Sequence, residues 1–278
     1  MCGIIGYIGG RPAVPLLMDG LKRLEYRGYD SAGLTVVVDG RLETRKAAGK
    51  ISVLEDLLDR DGEPRGTCGI AHTRWATHGA PTTTNAHPHT DCSERFALVH
   101  NGIIENSGTL RRKLEELGHT FRTETDTEVL AHLIEEAYED SLEQAVRAAL
   151  SQVEGTYGLA ITSSVDPGKI VAARRGSPLL LAIGDNGEYF VASDVAAVLS
   201  HTRRVIYLDD GELAVITADG FKTMSLKGKP VDKEVNVISW DLEAIEKGGH
   251  EHFMLKEIFE QPETLALIRE GGLGKGDV

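Results

Sequence analysis

The chain has 278 residues, 41% hydrophobic and 26% charged, enough to bury a sizeable core and unlike a disordered or fibrous protein. Acidic residues outnumber basic ones 43 to 30, giving a formal net charge of -13, which speaks against a nucleic-acid partner because phosphate binding rests on clustered Lys and Arg. No run approaches the roughly 18 apolar residues of a membrane-spanning helix, and three widely spaced cysteines, Cys2, Cys68 and Cys92, read as reduced cytoplasmic thiols rather than a disulfide frame or a zinc motif.

The first predicted element is a short apolar strand, Gly3 to Ile8. A helix follows on the spacing of Val14, Leu17, Met18, Leu21 and Leu24, and Arg27-Gly28-Tyr29-Asp30 breaks it. Leu34 to Val38 and Leu42 to Ala47, joined by Asp39-Gly40, carry a strong hairpin signal. A polar stretch, Asp59 to Arg65, precedes strands at Cys68 to Thr73 and Phe96 to His100. The loop between them, Arg74 to Arg95, is rich in Thr, His and Pro, and a loop that long in a compact domain is usually functional or disordered.

Helices are expected at Asn106 to Leu117, Thr125 to Tyr138 and Leu142 to Val153, the second with a Thr125/Glu128 pair spaced as a capping box. Tyr157 to Val235 reads as short strands with a brief helix at Asp194 to Leu199, and its plainest interpretation is a second antiparallel sheet. Segregated strands and helices make the fold class α+β, two sheets with helices outside. Phe253 to Arg269 has helical spacing after Gly248-Gly249, and the glycine-rich run to Gly276 has the composition of a flexible end. That run lacks the strand and the Lys-Ser/Thr of a phosphate loop.

Four places carry residues suited to chemistry. Cys2 becomes the first residue if Met1 is lost, and its own α-amine then titrates close enough to its thiol to serve as base. His72-Thr-Arg-Trp-Ala-Thr-His78-Gly79 offers Arg74 for a carboxylate and Trp75 as a cover. Asn101 and Gly102, at the end of a strand, offer two donors for an oxyanion hole, although Asn-Gly is also an ordinary turn. Asp126 near a helix start suits a substrate ammonium or simply an N-terminal acid. Each has a bland reading when taken alone: a buried small residue for Cys2, a surface ion pair for Arg74, a core ring for Trp75. His72, His78, His87 and His89 lack a recognisable acidic or Cys ligand spacing, so no metal is expected.

Together with Met-Cys-Gly-Ile at the start and Leu24-Glu-Tyr-Arg-Gly-Tyr-Asp-Ser-Ala-Gly33, these motifs resemble the class II glutamine amidotransferases, whose glutaminase domain is an N-terminal-nucleophile hydrolase. Within that class, Arg-Gly-Tyr-Asp-Ser-Ala-Gly, Thr-Arg-Trp-Ala-Thr-His-Gly and Asn85-Ala-His-Pro-His89 are similar to the glutamine:fructose-6-phosphate amidotransferase (glucosamine-6-phosphate synthase) family, from Met1 to about Pro262. The resemblance implies a four-layer αββα sandwich and hydrolysis of L-glutamine to glutamate and ammonia without a cofactor. It implies Cys2 as nucleophile and Asn101 and Gly102 as oxyanion donors. Arg74, Thr77, His78 and Asp126 would hold the α-carboxylate and α-amine of glutamine, with Trp75 on a mobile loop and Arg27 near the nucleophile. The competing branch, the amidophosphoribosyltransferases, usually has Gln at the place of Tyr29 and Tyr at that of Trp75.

By the same resemblance, residues 1–245 are the glutaminase domain and 246–278 a linker and the start of sugar-phosphate isomerase domains. His252 to Pro262 looks like that junction, yet only 16 residues follow, so the fructose 6-phosphate site lies outside this chain. The expected setting is cytoplasmic, with no membrane partner, and an oligomeric assembly is compatible with the sequence. Two other classes compete: a conventional Cys-His hydrolase using Cys68 or Cys92 with His72 or His100, whose local signatures are missing, and a non-catalytic binding domain, against which the presence of Cys2, Arg74, Asn101 and Asp126 argues.

Overall fold

The computed structural model describes residues 2–76, 79–239, 250 and 253–271, without the side chains of 253, 263, 264 and 266–271. It divides into two units, Met1–Ile238 and Ser239–Val278.

Strand β1 (Gly3–Ile8) is buried on both faces and leads into α1 (Ala13–Leu24), whose Val14, Leu17, Leu21 and Leu24 are buried as the helical spacing requires. Strands β2 (Ser31–Val38) and β3 (Arg41–Ala48) form the expected hairpin, and Asp39 and Gly40 both take the positive φ that a two-residue hairpin turn demands. Helix α2 (Ile51–Asp61) was not anticipated, although Ile51, Leu54 and Leu58 repeat at helical spacing and are its buried face; its last turn falls in the stretch read as polar. Strand β4 (Cys68–Arg74) follows, then the short β5 (His89–Thr90) inside the long loop, and β6 (Phe96–Ile104).

Helices α3 (Ser107–Glu116), α4 (Glu128–Ala137) and α5 (Leu142–Leu150) stand where helices were expected, each shorter than its sequence window. The capping box is a correction. Glu128 does not reach back to Thr125; its carboxylate accepts from the Arg122 and Thr123 amides and the Thr123 hydroxyl, while Thr125 Oγ1 bonds His89 Nε2. Two free amides in the preceding turn compete for that carboxylate, so α4 begins at Glu128 rather than Thr125.

Strands β7 (Gly155–Ser163), β8 (Lys169–Arg175), β9 (Leu180–Ile183), β10 (Tyr189–Ala192), β11 (Arg204–Tyr207), β12 (Glu212–Thr217), β13 (Gly220–Ser225) and β14 (Asn236–Val237) complete the sheets. The short helix expected at Asp194 to Leu199 is a 3-10 turn, Val195–Ala197, capped by Asp194. These strands do not form a sheet of their own, as expected, but divide between two. One sheet has the order β14-β11-β9-β10-β1-β4-β2-β3 and the other β13-β12-β8-β7-β6-β5, with antiparallel pairing in both. The physical reason is that β1 is apolar on both faces and needs neighbours on both edges, which β4 and β10 supply.

The layers are α1 and α2, the eight-stranded sheet, the six-stranded sheet, then α3 to α5: the αββα sandwich. Alternation along β6 shows how the core is divided. Ala97 and Val99 face the other sheet with Ile4, Ile70 and Ile170, whereas Phe96 and Leu98 face the helices with Leu110, Val129 and Leu142. In the second unit, helix Phe253–Gly271 covers the segment given helical spacing and contains Pro262; Gly248-Gly249 and residues after Gly271 lie outside the described residues.

Leu98 is fully buried at that second core. Leu98→Ala is expected to lower the unfolding free energy by about 2–5 kcal/mol, against a change within about 0.5 kcal/mol for Val53→Ala on the exposed face of α2; denaturant titration measures both.

Candidate active site

A cavity of about 280 Å³ opens where the two sheets meet at one end, lined by Cys2, Arg27, Arg74, Trp75, Asn101, Gly102 and Asp126 together with His87, His100, Ile103, Thr125, Thr156, Ser177 and Pro178. Seven of the nine residues singled out from sequence therefore share one site, although they lie up to 124 positions apart. Thr77 and His78 fall outside the described residues.

Strand register builds the centre of the site. Gly3 pairs with Thr73 across β1 and β4, which brings Cys2 beside the end of β4. There Cys2 Sγ accepts from the Trp75 amide at 3.2 Å and lies 3.5 Å from Trp75 O. Burial pushes the Cys2 thiol above its ordinary value, and the Trp75 amide and the Arg74 charge work against that. The thiol is thus held in a site that favours its neutral form until another group takes the proton.

Asn101 and Gly102 come from the opposite sheet. The sequence placed them at a strand end, but β6 runs on to Ile104 and pairs Asn101 with Gly158 and Gly102 with Tyr157. Gly102 has φ of 137°, and a Cβ there would stand 2.1 Å from Thr156 O, so no other residue keeps this ladder. The Asn-Gly pair is a rigid strand segment because its partners on β7 continue past it. Asn101 Nδ2 donates to Cys2 O at 3.1 Å, and its Oδ1 lies 3.0 Å from His72 Nε2. Since Oδ1 can only accept, His72 carries its proton on Nε2 and fixes which way the amide points.

His72 can do this because it stays neutral: burial pushes it down to about 3. It stacks on His87 with ring centroids 4.1 Å apart, and His87 meets His89 edge to face at 4.5 Å. His87 Nδ1 accepts from the His100 amide, and His100 Nε2 donates to Thr156 O. Burial lowers all four imidazoles. His72, His87 and His89, weighed above as metal candidates, instead form a buried row bonded to Asn101, His100 and Thr125.

Three charged side chains also line the cavity, Arg74, Asp126 and Arg27. Arg74, buried, reaches Gly79 O and Ala80 O. Asp126, also buried, accepts from the Ile104 amide at 2.7 Å. Arg27 pairs with Asp194 at 3.0 Å and donates to Ser193 O, while its Nε is buried without a hydrogen bond. The segment Arg27 to Ser31 acts mainly as a clamp on the Trp75 turn. Gly28 packs so close that a Cβ would lie 2.7 Å from Arg74 C, the Asp30 amide donates to Arg74 O, Asp30 Oδ2 accepts from the Ala76 amide, and Tyr29 meets the Trp75 ring edge-on at 5.5 Å. Asn85 holds the far side of the loop through Ala80 O and both the amide and carboxylate of Glu124.

The competing Cys-His pairs do not form. Cys68 is buried between the sheets against Thr162 and pushed up to about 11 by burial, and Cys92 lies outside the cavity. Sequence reasoning missed Thr156, near the start of β7, and Ser177 and Pro178, in the β8–β9 connection, which reach the cavity with no local signature.

Comparison with known proteins follows the same lines. Residues 72–200 match the glutamine amidotransferase domain family. The chain is 53% identical over 98% of its length to glutamine–fructose-6-phosphate aminotransferase (isomerizing) of Chlorobaculum tepidum and 52% identical over 95% to that of Pyrococcus horikoshii, covering 45% and 44% of those proteins. It thus spans less than half the length of the relatives it matches. Among solved structures, the glutamine phosphoribosylpyrophosphate amidotransferase of B. subtilis superposes with a TM-score of 0.69 at 28% identity, over 81% of this chain and 49% of that one.

The buried histidines make stability depend on pH. His72 has a folded value near 3 against about 6.5 unfolded, so between those values the unfolded chain binds the extra proton. Stability is fully present above about pH 6.5 and falls as pH drops toward 3, with a limiting slope of about 1.4 kcal/mol per pH unit for each such histidine. Denaturant titrations across pH 4.5 to 7.5 should show this fall, shallower in His89→Gln; a flat profile would contradict the neutral row.

Proposed function

Because the chain is a class II glutamine amidotransferase domain, with about half its residues identical to the N-terminal part of glutamine–fructose-6-phosphate aminotransferases, we propose that it hydrolyses L-glutamine to glutamate and ammonia through Cys2. The observation that supports this most is the convergence of Cys2 Sγ, the Asn101 amide and two buried groups of opposite charge, Arg74 and Asp126, on one small cavity.

In this reading, loss of Met1 frees the Cys2 α-amine, which takes the thiol proton as sulfur attacks Cδ of glutamine. A thiol kept neutral by burial suits a base on the same residue, since the proton has only one short path to travel. The negative oxygen of the tetrahedral intermediate rests on Asn101 Nδ2 and the Gly102 N–H. Neutral His72 keeps the Asn101 amide pointed as a donor without adding charge. The α-amine then protonates the departing ammonia, and water, activated by the same amine, hydrolyses the thioester.

Arg74 would pair with the α-carboxylate of glutamine and Asp126 with its α-ammonium, aided by Thr77 and His78; holding both groups of the α-carbon at one end of the cavity would leave the reach to Cys2 Sγ to discriminate by side-chain length. Trp75 would cover the bound substrate, and Arg27 would lie behind the nucleophile. No resident metal or organic cofactor enters this chemistry.

The further reading is that ammonia passes to fructose 6-phosphate bound in sugar-phosphate isomerase domains, making glucosamine 6-phosphate in the cytoplasm. It rests on the names of the matched relatives, of which this chain covers less than half, and on the junction-like segment His252 to Pro262 within the proposed 246–278 linker. Among the described residues no helix is long and apolar enough to cross a membrane. The amidophosphoribosyltransferase alternative is weaker, since identity to that structure is 28% against 53% for the aminotransferase.

Intact mass and glutamate release, with asparagine as control, test the proposal. Cys2→Ala should abolish release, and Asn101→Ala should lower kcat by roughly 10²- to 10³-fold in a folded protein. Turnover by a form that retains Met1 would refute the N-terminal mechanism.

A further inference from the structure

A second cluster lies outside the cavity. Cys92 follows β5, His119 sits in the α3–α4 connection, and His132 and Glu135 lie one turn apart on α4. One donor atom from each falls within 4.8 Å of all the others, and none of the four lines the Cys2 cavity. We propose that Cys92, His119, His132 and Glu135 form a structural site for one divalent transition-metal ion of the zinc class.

Four of the six donor-to-donor distances match the edges of a coordination tetrahedron, and the other two lie within 4.8 Å. Zinc holds sulfur at about 2.3 Å and nitrogen or oxygen at about 2.0–2.1 Å, which places S···N edges at roughly 3.5 Å and N···O edges at roughly 3.3 Å. Cys92 Sγ lies 3.6 Å from His119 Nδ1 and 3.5 Å from His132 Nδ1. Glu135 Oε2 lies 3.2 Å from His119 Nδ1 and 3.5 Å from His132 Nδ1.

Hydrogen bonding around the cluster points the same way. His119 Nε2 lies 2.9 Å from Glu136 Oε1 and donates to it, which leaves Nδ1 turned toward the Glu135 carboxylate. His132 Nε2 is buried without a hydrogen bond and stands 3.7 Å from Glu128 Oε1. Both imidazoles thus turn Nδ1 inward and Nε2 toward a carboxylate, the outer-shell arrangement of histidine ligands. The Thr120 amide donates to Cys92 Sγ at 3.3 Å, as suits a thiolate. One thiolate, two imidazoles and one carboxylate fit zinc better than a hard cation such as magnesium. With four protein ligands and nearly buried imidazoles, the site is closed and structural.

Its effect is to join three segments: the loop after β5, the α3–α4 connection and α4. That connection carries Thr125 and Asp126 of the cavity wall, and Glu128 ties it to His132. The metal would therefore brace Asp126 from outside, whatever reaction the cavity performs.

Chelator-treated full chain titrated with Zn²⁺ by calorimetry, and with Co²⁺ by visible absorption, tests the site. One ion per chain is expected, with the intense d–d bands of tetrahedral cobalt and a thiolate-to-cobalt charge-transfer band that Cys2→Ala retains. Cys92→Ser should lose the charge-transfer band and weaken Zn²⁺ binding more than about 100-fold, and Glu136→Gln should weaken it about 10- to 100-fold. Absence of a stoichiometric ion in the wild type, a weak octahedral cobalt spectrum, or a thiolate band that survives Cys92→Ser would overturn the proposal. If Cys92→Ser does not fold, the wild-type cobalt spectrum alone decides.

Discussion

Everything in the site depends on one piece of backbone pairing, the ladder between β1 and β4. Gly3 opposite Thr73 fixes where Cys2 stands relative to Trp75, and a slip of one residue would turn Cys2 to the other face of the sheet. The chain protects that register from several directions. Ser193 bonds both the amide and, through its own amide, the carbonyl of Ile4, while the Thr73 hydroxyl bonds Gly28 O. A Cβ at Gly3 would stand 2.7 Å from Leu24 Cβ, so α1 closes over the start of the strand. Placing Cys2 at the start of a central strand of the larger sheet makes its position a property of the whole core.

The second constraint is the burial of polar groups beside that core. His72, His87, His89 and His100 are fully enclosed, and enclosure costs free energy unless each ring nitrogen that needs a partner has one. The rings largely meet this by stacking on one another and by bonding backbone groups, Asn101 and threonines, with His72 Nδ1 left as a buried acceptor without a hydrogen bond. The return is a neutral, rigid donor network, in which an amide that must point in one direction is held by a group whose charge does not vary near neutral pH.

The sequence shows the site better than the fold around it. Cys2, Arg74, Asn101 and Asp126 were legible because each sits in a short motif of unusual composition, and the αββα layers followed from the resemblance those motifs carry. The strand division was not legible, since β7 to β14 are similar short apolar runs and nothing local tells which sheet each joins. The Asn101-Gly102 turn reading failed because pairing with β7 overrides the local turn preference. Helix α2 was missed despite a clear apolar spacing, because its second half is rich in charged residues and runs into the polar stretch that follows. The Cys92 cluster was hidden for a different reason: its four ligands come from three separate segments, so no linear spacing reveals them.

Trp75 has a consequence beyond its place at the cavity. It is one of only two tryptophans in the chain, its ring is 49% exposed, and its backbone touches the Cys2 sulfur while Tyr29 flanks its edge. Thiols and neighbouring charges are efficient quenchers of indole emission. The protein thus carries its own optical probe within contact distance of the Cys2 sulfur, and replacing Trp240 alone would leave the tryptophan fluorescence of the molecule reporting on that one turn.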